Sequence, residues 1–112
     1  MDINYKNKKV EKQCTDLGQA KKDFPMKVAK KLHKLINFIE AAENLESIVN
    51  MHNLSFHPLT RNRKGEYSMD IDGRRGSYRL ITSFEGASND QIFADSISIK
   101  CIKIEEVSKH YE

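Results

Sequence analysis

The chain has 112 residues and a mass of 13.0 kDa, a size that fits one compact domain covering residues 1–112. Its 19 basic and 16 acidic side chains give a net charge of +3, and its mean hydropathy is −0.66. No apolar run approaches the ~20 residues needed to cross a bilayer, and no apolar stretch follows the basic N-terminus to form a secretory signal. The composition excludes a transmembrane protein and favours a cytoplasmic one without disulfides, since Cys14 and Cys101 are far apart.

Charge is distributed unevenly along the chain. Residues 1–40 carry ten basic and five acidic side chains, and residues 61–79 carry six basic and three acidic ones. Residues 41–60 and 80–112 have an acidic excess instead. A basic front and middle with an acidic tail fits a protein that meets a polyanion on one side, although such runs also occur as ordinary solvated surface.

The first 42 residues predict a short strand followed by helices. Residues 2–5 are expected to form an edge strand, and residues 7–15 a lysine-rich helix that ends at residues 16–18. Pro25 is pre-set for a first helical turn, and the helix that follows it is expected to run to about residue 42. An apolar stripe follows one face of this helix and a group of lysines another. The stripe consists of Val28, Leu32, Leu35, Ile36 and Ile39, and the lysines are Lys27, Lys30, Lys31 and Lys34.

The second half of the chain predicts an antiparallel sheet. Residues 45–51 favour a short helical turn and residues 53–59 an extended segment, after which apolar and polar side chains alternate as in half-buried strands. The strands are expected at residues 67–71, 77–84 and 97–104. A tight turn at 72–76 and a polar loop at 85–90 connect them, and a slip in the apolar phase predicts a β-bulge near Cys101. Helices first and an antiparallel meander second indicate an α+β domain.

The residues that suggest chemistry are cations, imidazoles and one aromatic ring. They are His57, Arg61, Arg63, Lys64, Arg74, Arg75, Arg79, His110 and Tyr111. Cations that hold phosphates, imidazoles that move protons and an aromatic ring that stacks on a base are what RNA cleavage needs. Zinc, phosphate-loop and dinucleotide motifs are absent from the sequence, and its four histidines have no metal-ligand spacing. We therefore expect neither a metal nor another cofactor.

Several of these residues also have a purely structural interpretation. His57 precedes Pro58 and could simply fix the entry to a loop, while residues 110–111 could be a frayed tail. Arg79 could pair with Asp70 across the hairpin. The strand alternation nevertheless puts Arg79 on the polar side, pointing away from the core. Replacing it with alanine is then expected to change stability by no more than about 0.5 kcal/mol, as at a surface site.

Four segments of the second half resemble the HigB toxins, the "killer protein" branch of the RelE/ParE toxin superfamily. They are Phe56–Leu59, Arg61–Ser68, Asp72–Gly73 and Tyr78–Phe84, which read FHPL, RNRKGEYS, DG and YRLITSF. The resemblance extends from about Asn4 to the C-terminus. The first and last segments, at this distance from each other, indicate the family more specifically than either segment does alone.

This resemblance implies a RelE-like α+β fold, in which N-terminal helices pack on one face of a small antiparallel sheet and a basic concave surface forms on the other. It implies the toxin of a type II toxin–antitoxin system, an mRNA interferase that cuts mRNA in the ribosomal A site. Such an endoribonuclease uses the ribose 2′-hydroxyl as nucleophile and needs no metal. The implied partners are the ribosome, mRNA and a HigA-like antitoxin with a helix-turn-helix domain, with no membrane involved.

By position, the resemblance makes His57 the catalytic-loop histidine and Arg79 the arginine that holds the scissile phosphate. Tyr111 matches the terminal aromatic residue, and His110 is expected to share the proton transfers with His57. The cations expected to bind RNA phosphates are Arg61, Arg63, Lys64, Arg74 and Arg75. Two features depart from the family pattern: Thr60 stands where many members have lysine, and the chain ends in His-Tyr-Glu rather than Asp-Tyr-His.

Two other functions remain open at this point. ParE-like relatives act on DNA gyrase and lack the catalytic residues, and both His57 and the cations at 61–64 argue against that function. A module that binds RNA or the ribosome without cleaving is the other alternative, because the altered C-terminus could mark a decayed catalytic site.

Overall fold

The computed structural model describes residues 1–109, apart from the side chain of Arg61. Its helices are α1 (Lys8–Thr15), α2 (Leu17–Asp23), α3 (Met26–Ala41), α4 (Glu46–Val49) and α5 (Asn89–Ala94). Its strands are β1 (Asp2–Tyr5), β2 (His57–Pro58), β3 (Glu66–Asp70), β4 (Tyr78–Ser83) and β5 (Cys101–Lys109). Short 3₁₀ turns lie at His52–Leu54, Arg61–Arg63 and Ser96–Ser98. The predicted α+β class is confirmed.

The long helix α3 supplies much of the core. All the members of its predicted apolar stripe are buried, and Leu32 and Ile39 have no exposed surface. Burying an aliphatic side chain of this size is worth roughly 1.5–3 kcal/mol, so the stripe accounts for a large part of the driving force that packs α3 on the sheet. Pro25 precedes the helix as predicted, and its carbonyl accepts a hydrogen bond from the Ala29 N–H at 2.9 Å.

Asp16 joins two helices at the position where the sequence predicted only a break. Its backbone N–H donates to the Lys12 carbonyl at 2.9 Å, which closes α1. Its side-chain Oδ1 accepts hydrogen bonds from the backbone N–H groups of Gly18 and Gln19, at 2.9 and 3.3 Å. These bonds satisfy donors that the first turn of α2 would otherwise leave unpaired.

The sheet is mixed rather than purely antiparallel. Its strand order is β1-β5-β4-β3-β2. The strand β1 lies at an edge, as predicted, but it pairs with β5 in parallel, whereas the other neighbours are antiparallel. A parallel pair needs a long crossover connection. Here the whole chain between the first and last strands provides it, so the expectation of an antiparallel sheet is wrong at this edge.

The predicted β-bulge is present but lies elsewhere. Ile81 of β4 pairs with Glu106, whereas the next residue of β4 pairs with Ile104, so Glu105 has no partner opposite it. The bulge therefore lies at Glu105 and not near Cys101. Because an inserted residue shifts the alternation of the strand, Glu105 and Glu106 both face away from the helices.

The segment between β4 and β5 is more helical than predicted. The expected polar loop at 85–90 runs into α5, which begins at Asn89 behind a capping box. The Ser88 hydroxyl accepts from the Gln91 N–H at 3.3 Å, and the Gln91 side chain accepts from the Ser88 N–H at 2.9 Å. The last strand starts at Cys101 and not at residue 97, because Ile97 belongs to a 3₁₀ turn.

Both faces of the central strands are buried. Tyr67, Met69 and Leu80 point to the helix side and are almost fully enclosed. Their neighbours along the chain point to the other side and are buried as well. These neighbours are Ser68, Asp70, Arg79 and Ile81. Since the helices cover only one face, the second face must be covered by loops. None of the helices within residues 1–109 is both long and apolar enough to cross a membrane.

The helix junction gives a test of this fold. Replacing Asp16 with alanine removes the acceptor that caps α2, and we expect a loss of about 1 kcal/mol in the free energy of unfolding. Asp16→Asn keeps an oxygen acceptor at the same position and is expected to stay within about 0.5 kcal/mol of the wild type. Urea unfolding followed by circular dichroism measures both. Equal stability of the alanine and asparagine variants would contradict a capping role.

Candidate functional site: a cleft on the polar face of the sheet

A cleft of about 810 Å³ opens on the face of the sheet that the helices leave free. Its floor is formed by β3, β4 and β5, and its rim by β2, the loops on either side of β2 and the turn after β3. Four of the lining side chains are cationic and two are anionic: Arg63, Arg74, Arg79 and Lys109 against Asp70 and Glu106. The cleft is therefore basic by two charges, and two of its cations, Arg63 and Arg79, form ion pairs with carboxylates.

The floor of the cleft contains a buried ion pair. Asp70 and Arg79 are directly opposite each other on β3 and β4, and Arg79 Nε lies 3.0 Å from Asp70 Oδ1. The side chains are only 11% and 4% exposed. Breaking a pair this deeply buried leaves one charge without a partner, which typically costs 3–5 kcal/mol.

The Arg79 guanidinium also organises the turn that closes the hairpin. Its Nη1 donates to the carbonyls of Gly76 and Tyr78, at 2.6 and 3.0 Å, and its Nη2 donates to the Arg74 carbonyl at 3.1 Å. Together with the ion pair to Asp70, these three hydrogen bonds engage Nε, Nη1 and Nη2 within the protein. Nη2 carries two N–H donors but has one acceptor within residues 1–109.

Gly76 is required by the close packing of this turn. A Cβ atom at Gly76 would lie 2.6 Å from the carbonyl oxygen of Asp72, a distance that real Cβ atoms do not tolerate. The turn is further held to α3, because Lys31 and Lys27 lie 2.8 and 3.7 Å from the Asp72 carboxylate. A hydrogen bond from Lys31 lowers the pKa of Asp72 below its ordinary value, so this contact persists into acid.

The expected position of Arg79 is correct but its expected environment is wrong. The residue does lie on the face away from the helices, as the alternation predicted. It is buried nonetheless, because the turn at 72–76 folds over it and Asp70 supplies the opposite charge. The expectation that Arg79→Ala costs no more than about 0.5 kcal/mol is therefore overturned. The alternative interpretation, a pair with Asp70 across the hairpin, is what the structure contains.

His57 stands at the rim of the cleft with one ring nitrogen fixed. Its Nδ1 lies 2.6 Å from the Ser55 carbonyl oxygen. Since a carbonyl oxygen can only accept, Nδ1 carries the proton in this contact, and Nε2 is the nitrogen available for proton transfer. Ser55 adopts a left-handed conformation with φ 51°, which is uncommon for a residue with a side chain. The segment 53–59 is therefore a 3₁₀ turn, a left-handed residue and a short strand, not the extended segment expected.

Arg63 joins the rim of the cleft to its floor. Its Nε donates to Glu66 Oε1 at 2.7 Å, and its Nη2 lies 3.3 Å from Glu106 Oε2 on β5. Burial lowers the pKa of the Arg63 guanidinium, but the hydrogen bonds to Glu66 and Glu106 outweigh this and raise the pKa above its ordinary value. Arg63, which the sequence predicts to bind RNA phosphates, is therefore paired with two carboxylates.

The cleft brings together only part of the predicted site. His57, Arg63, Arg74 and Arg79 line it. The side chains of Lys64 and Arg75 are exposed and are not among the lining residues. The side chain of Arg61, together with His110 and Tyr111, lies outside the described residues. Sequence reasoning missed other lining residues or weighed them only as alternatives: Ser55, Asp70, Glu106 and Lys109.

For some of the missed residues, a position in the cleft could have been predicted from the sequence, and for others it could not. Asp70 could be found, because the alternation of two strands joined by a short turn sets it opposite Arg79. Glu106 could not, since regular alternation after Ile104 turns it toward the helices and only the bulge reverses this. Within residues 1–109, no group of three or more His, Cys, Asp or Glu side chains is arranged to hold a metal ion.

The buried pair leads to a prediction about stability. Arg79→Ala leaves Asp70 charged, buried and without its partner, so we expect the free energy of unfolding to fall by about 3 kcal/mol or more. Arg75→Ala removes an exposed arginine from the same hairpin and should change stability by no more than about 0.5 kcal/mol. Urea unfolding of the two variants tests this, and equal stabilities would mean that Arg79 behaves as a surface residue.

Comparison with known proteins gives structural matches alone. No protein-family model matches the sequence, and no curated protein matches it. Among solved structures, the YoeB/ParE toxin from Agrobacterium tumefaciens is similar, with a TM-score of 0.57 and 12% identity over 99% of this chain and 100% of that one. YoeB in the YoeB–YefM complex from Staphylococcus aureus gives a TM-score of 0.50 and 20% identity, over 99% and 98% of the two chains.

A third solved structure is YafQ from E. coli, with a TM-score of 0.50 and 19% identity over 96% of this chain and 91% of that one. The matches cover nearly the full length of each chain, so the similarity concerns the entire architecture and not one motif. The chain has the RelE/YoeB-like toxin fold, as the sequence resemblance implied.

Proposed function

We propose that this protein is the toxin of a type II toxin–antitoxin system and that it cleaves mRNA in the ribosomal A site. The fold, shared over 99% of the chain with a YoeB/ParE toxin, supports the toxin role. The resemblance of Phe56–Leu59 and Tyr78–Phe84 to HigB toxins supports cleavage, with the ribose 2′-hydroxyl as nucleophile and without a metal. In this proposal the protein belongs to the HigB branch and acts as an mRNA interferase.

The observation that carries the proposal is the state of His57. Its Nδ1 proton is held by the Ser55 carbonyl, so Nε2 is left at the rim of a cleft that has an excess of positive charge. An imidazole takes up or releases a proton near neutral pH, and it needs one free nitrogen to do so toward a substrate. His57 is exposed, so a ribose 2′-hydroxyl or a 5′-oxygen leaving group can reach it.

Cleavage by a 2′-hydroxyl needs a base, an acid and cations for the charge that builds on the phosphate. We assign one proton transfer to His57 and the other to His110, with Tyr111 stacking on a base or assisting. Lys109, which precedes these two residues in the sequence, lines the cleft. Arg79 offers its remaining Nη2 donor to the phosphate, while its other donors keep the turn in position.

The remaining cations would hold the RNA on either side of the reacting phosphate. Arg63 and Arg74 line the cleft, and Lys64 and Arg75 are exposed. Together with Arg61, they form the RNA-binding set of the proposal. Such cations fix the register of the substrate through its phosphates and do not read its bases.

The proposed partners are the ribosome, mRNA and an antitoxin. The solved YoeB structure from Staphylococcus aureus is a complex with YefM, and by analogy we propose that this chain is also neutralised by a protein partner. The resemblance to HigB toxins favours an antitoxin of the HigA-like, helix-turn-helix kind. Growth arrest on expression, relieved by co-expression of such a partner, is the expected behaviour in cells.

A toxin without nuclease activity is the second candidate, and one observation favours it. All three nitrogens of the Arg79 guanidinium contact acceptors within the protein, so this residue is less available to a phosphate than a free arginine would be. A ParE-like toxin that acts on DNA gyrase would have no need of that donor. Neither would a module that binds RNA or the ribosome without cleaving it.

Cleavage on programmed ribosomes separates these possibilities. His57→Ala is expected to slow single-turnover cleavage of mRNA by about 10²-fold or more, as for the loss of a general acid or base. It should melt like the wild type, because the side chain is exposed. The control is His52→Ala, which removes an exposed histidine that does not line the cleft and should leave the rate unchanged.

The three candidates give different results in this assay and one companion assay. New mRNA 5′ ends inside the A-site codon support the nuclease. Intact mRNA with inhibition of gyrase supercoiling indicates the ParE-like function, and ribosome binding without either effect indicates the binding module. Wild-type cleavage by His57→Ala would show that the assigned site is wrong even for a nuclease.

A further inference from the structure

Arg63 and Arg79 both line the cleft but are held with very different strength. The Arg79–Asp70 pair has side chains 11% and 4% exposed and is supported by three backbone carbonyls. The contact between Arg63 Nη2 and Glu106 Oε2 is longer, at 3.3 Å, and both side chains are about 40% exposed. An exposed ion pair contributes little to stability because water and salt screen it. Arg79 is therefore locked in place, whereas the Arg63–Glu106 contact can open.

Arg63 has a second contact that would keep it oriented when the first one opens. Its Nε donates to Glu66 at 2.7 Å, and Glu66, at 24% exposure, is better shielded than Glu106. Within residues 1–109, Nη1 of Arg63 has no hydrogen-bond acceptor. If Glu106 withdraws, the Nη1 and Nη2 groups form a planar fork that faces the cleft. Such a fork binds two oxygens of a phosphate at once.

We propose that Arg63 is the releasable phosphate-binding arginine of the cleft, and that Glu106 is an internal anion which an RNA phosphodiester displaces from it. The choice of RNA as the polyanion rests on the proposed function. A phosphodiester makes two parallel charge-assisted bonds where the carboxylate of Glu106 makes one longer contact. Any anion that binds Arg63 must therefore compete with Glu106. A chain of phosphates, which makes several contacts at once, competes better than a single small anion.

The bulge of β5 explains why Glu106 can act in this way and provides a matched control. The bulge leaves Glu105 and Glu106 on the same side of β5, and only Glu106 lines the cleft. Glu105 accepts a hydrogen bond from the Ser83 hydroxyl at 2.7 Å and lies 3.5 Å from Lys103. It does not contact Arg63. Removing the charge of either glutamate changes the net charge equally, but only one of the two changes frees the arginine.

The test is equilibrium binding of a fluorescent single-stranded 12-nucleotide RNA, measured by anisotropy at several salt concentrations. Glu106→Gln is expected to bind about threefold or more tightly than Glu105→Gln. It should also steepen the slope of log K against log salt by about 0.7, because one more phosphate is contacted. In the Glu106→Gln background, Arg63→Gln should abolish both gains. Thermal melts verify that every variant is folded.

Several outcomes would overturn the inference. An equal increase in RNA affinity for Glu105→Gln and Glu106→Gln would mean that the change in net charge alone is responsible. An unchanged salt slope for Glu106→Gln, or a gain that survives Arg63→Gln, would mean that Arg63 does not take the phosphate. The absence of RNA binding by the wild type and by Glu106→Gln alike would also overturn it.

Because the assay contains no ribosome, its failure is distinct from failure of the proposed function. Intact mRNA on ribosomes together with the expected order of RNA affinities would refute the nuclease and leave the inference standing. Cleavage of mRNA on ribosomes, together with identical RNA binding by the two glutamine variants, would support the nuclease and refute the inference about Arg63 and Glu106.

Discussion

The ion pair between Asp70 and Arg79 determines the geometry of the cleft. It joins adjacent strands at directly opposed positions, and the same guanidinium bonds to carbonyls in the turn between those strands. A charge buried without a partner is unfavourable by several kcal/mol. A substitution at either residue is therefore expected to disturb the hydrogen bonds that hold the turn. The floor of the cleft is therefore set before any ligand arrives, and the groups on its rim are positioned relative to it.

The helices and the cleft depend on each other through the central strands. One face of β3 and β4 packs Tyr67, Met69 and Leu80 against the apolar stripe of α3, and the other face is the floor of the cleft. Aromatic rings extend this core to the edge of the sheet, where Phe56 stacks on Tyr67 at a centroid distance of 5.3 Å. Phe56 immediately precedes His57 in the chain, so the core anchors the loop from which the histidine projects. Ser55, in a left-handed conformation, directs its carbonyl to that histidine.

Much of the fold could be predicted from the sequence, because periodicity reports which face of an element is buried. The stripe of α3 and the hairpin of β3 and β4 both follow from it. The site could be predicted only in part. A sequence gives the face on which Arg79 lies, but whether that face is covered depends on a turn folding over it. Glu106 escaped prediction because one unpaired residue, Glu105, reverses the alternation.

The central claim is that Asp70 and Arg79 act as one unit, and a double-mutant cycle tests it directly. The free energies of unfolding of Asp70→Ala, Arg79→Ala and the double variant are measured in urea and compared with the wild type. The structure predicts a coupling energy of about 2 kcal/mol or more, with the double variant less destabilised than the sum of the single changes. A double variant that folds where Arg79→Ala alone does not would lead to the same conclusion. Additivity within about 0.5 kcal/mol would contradict it.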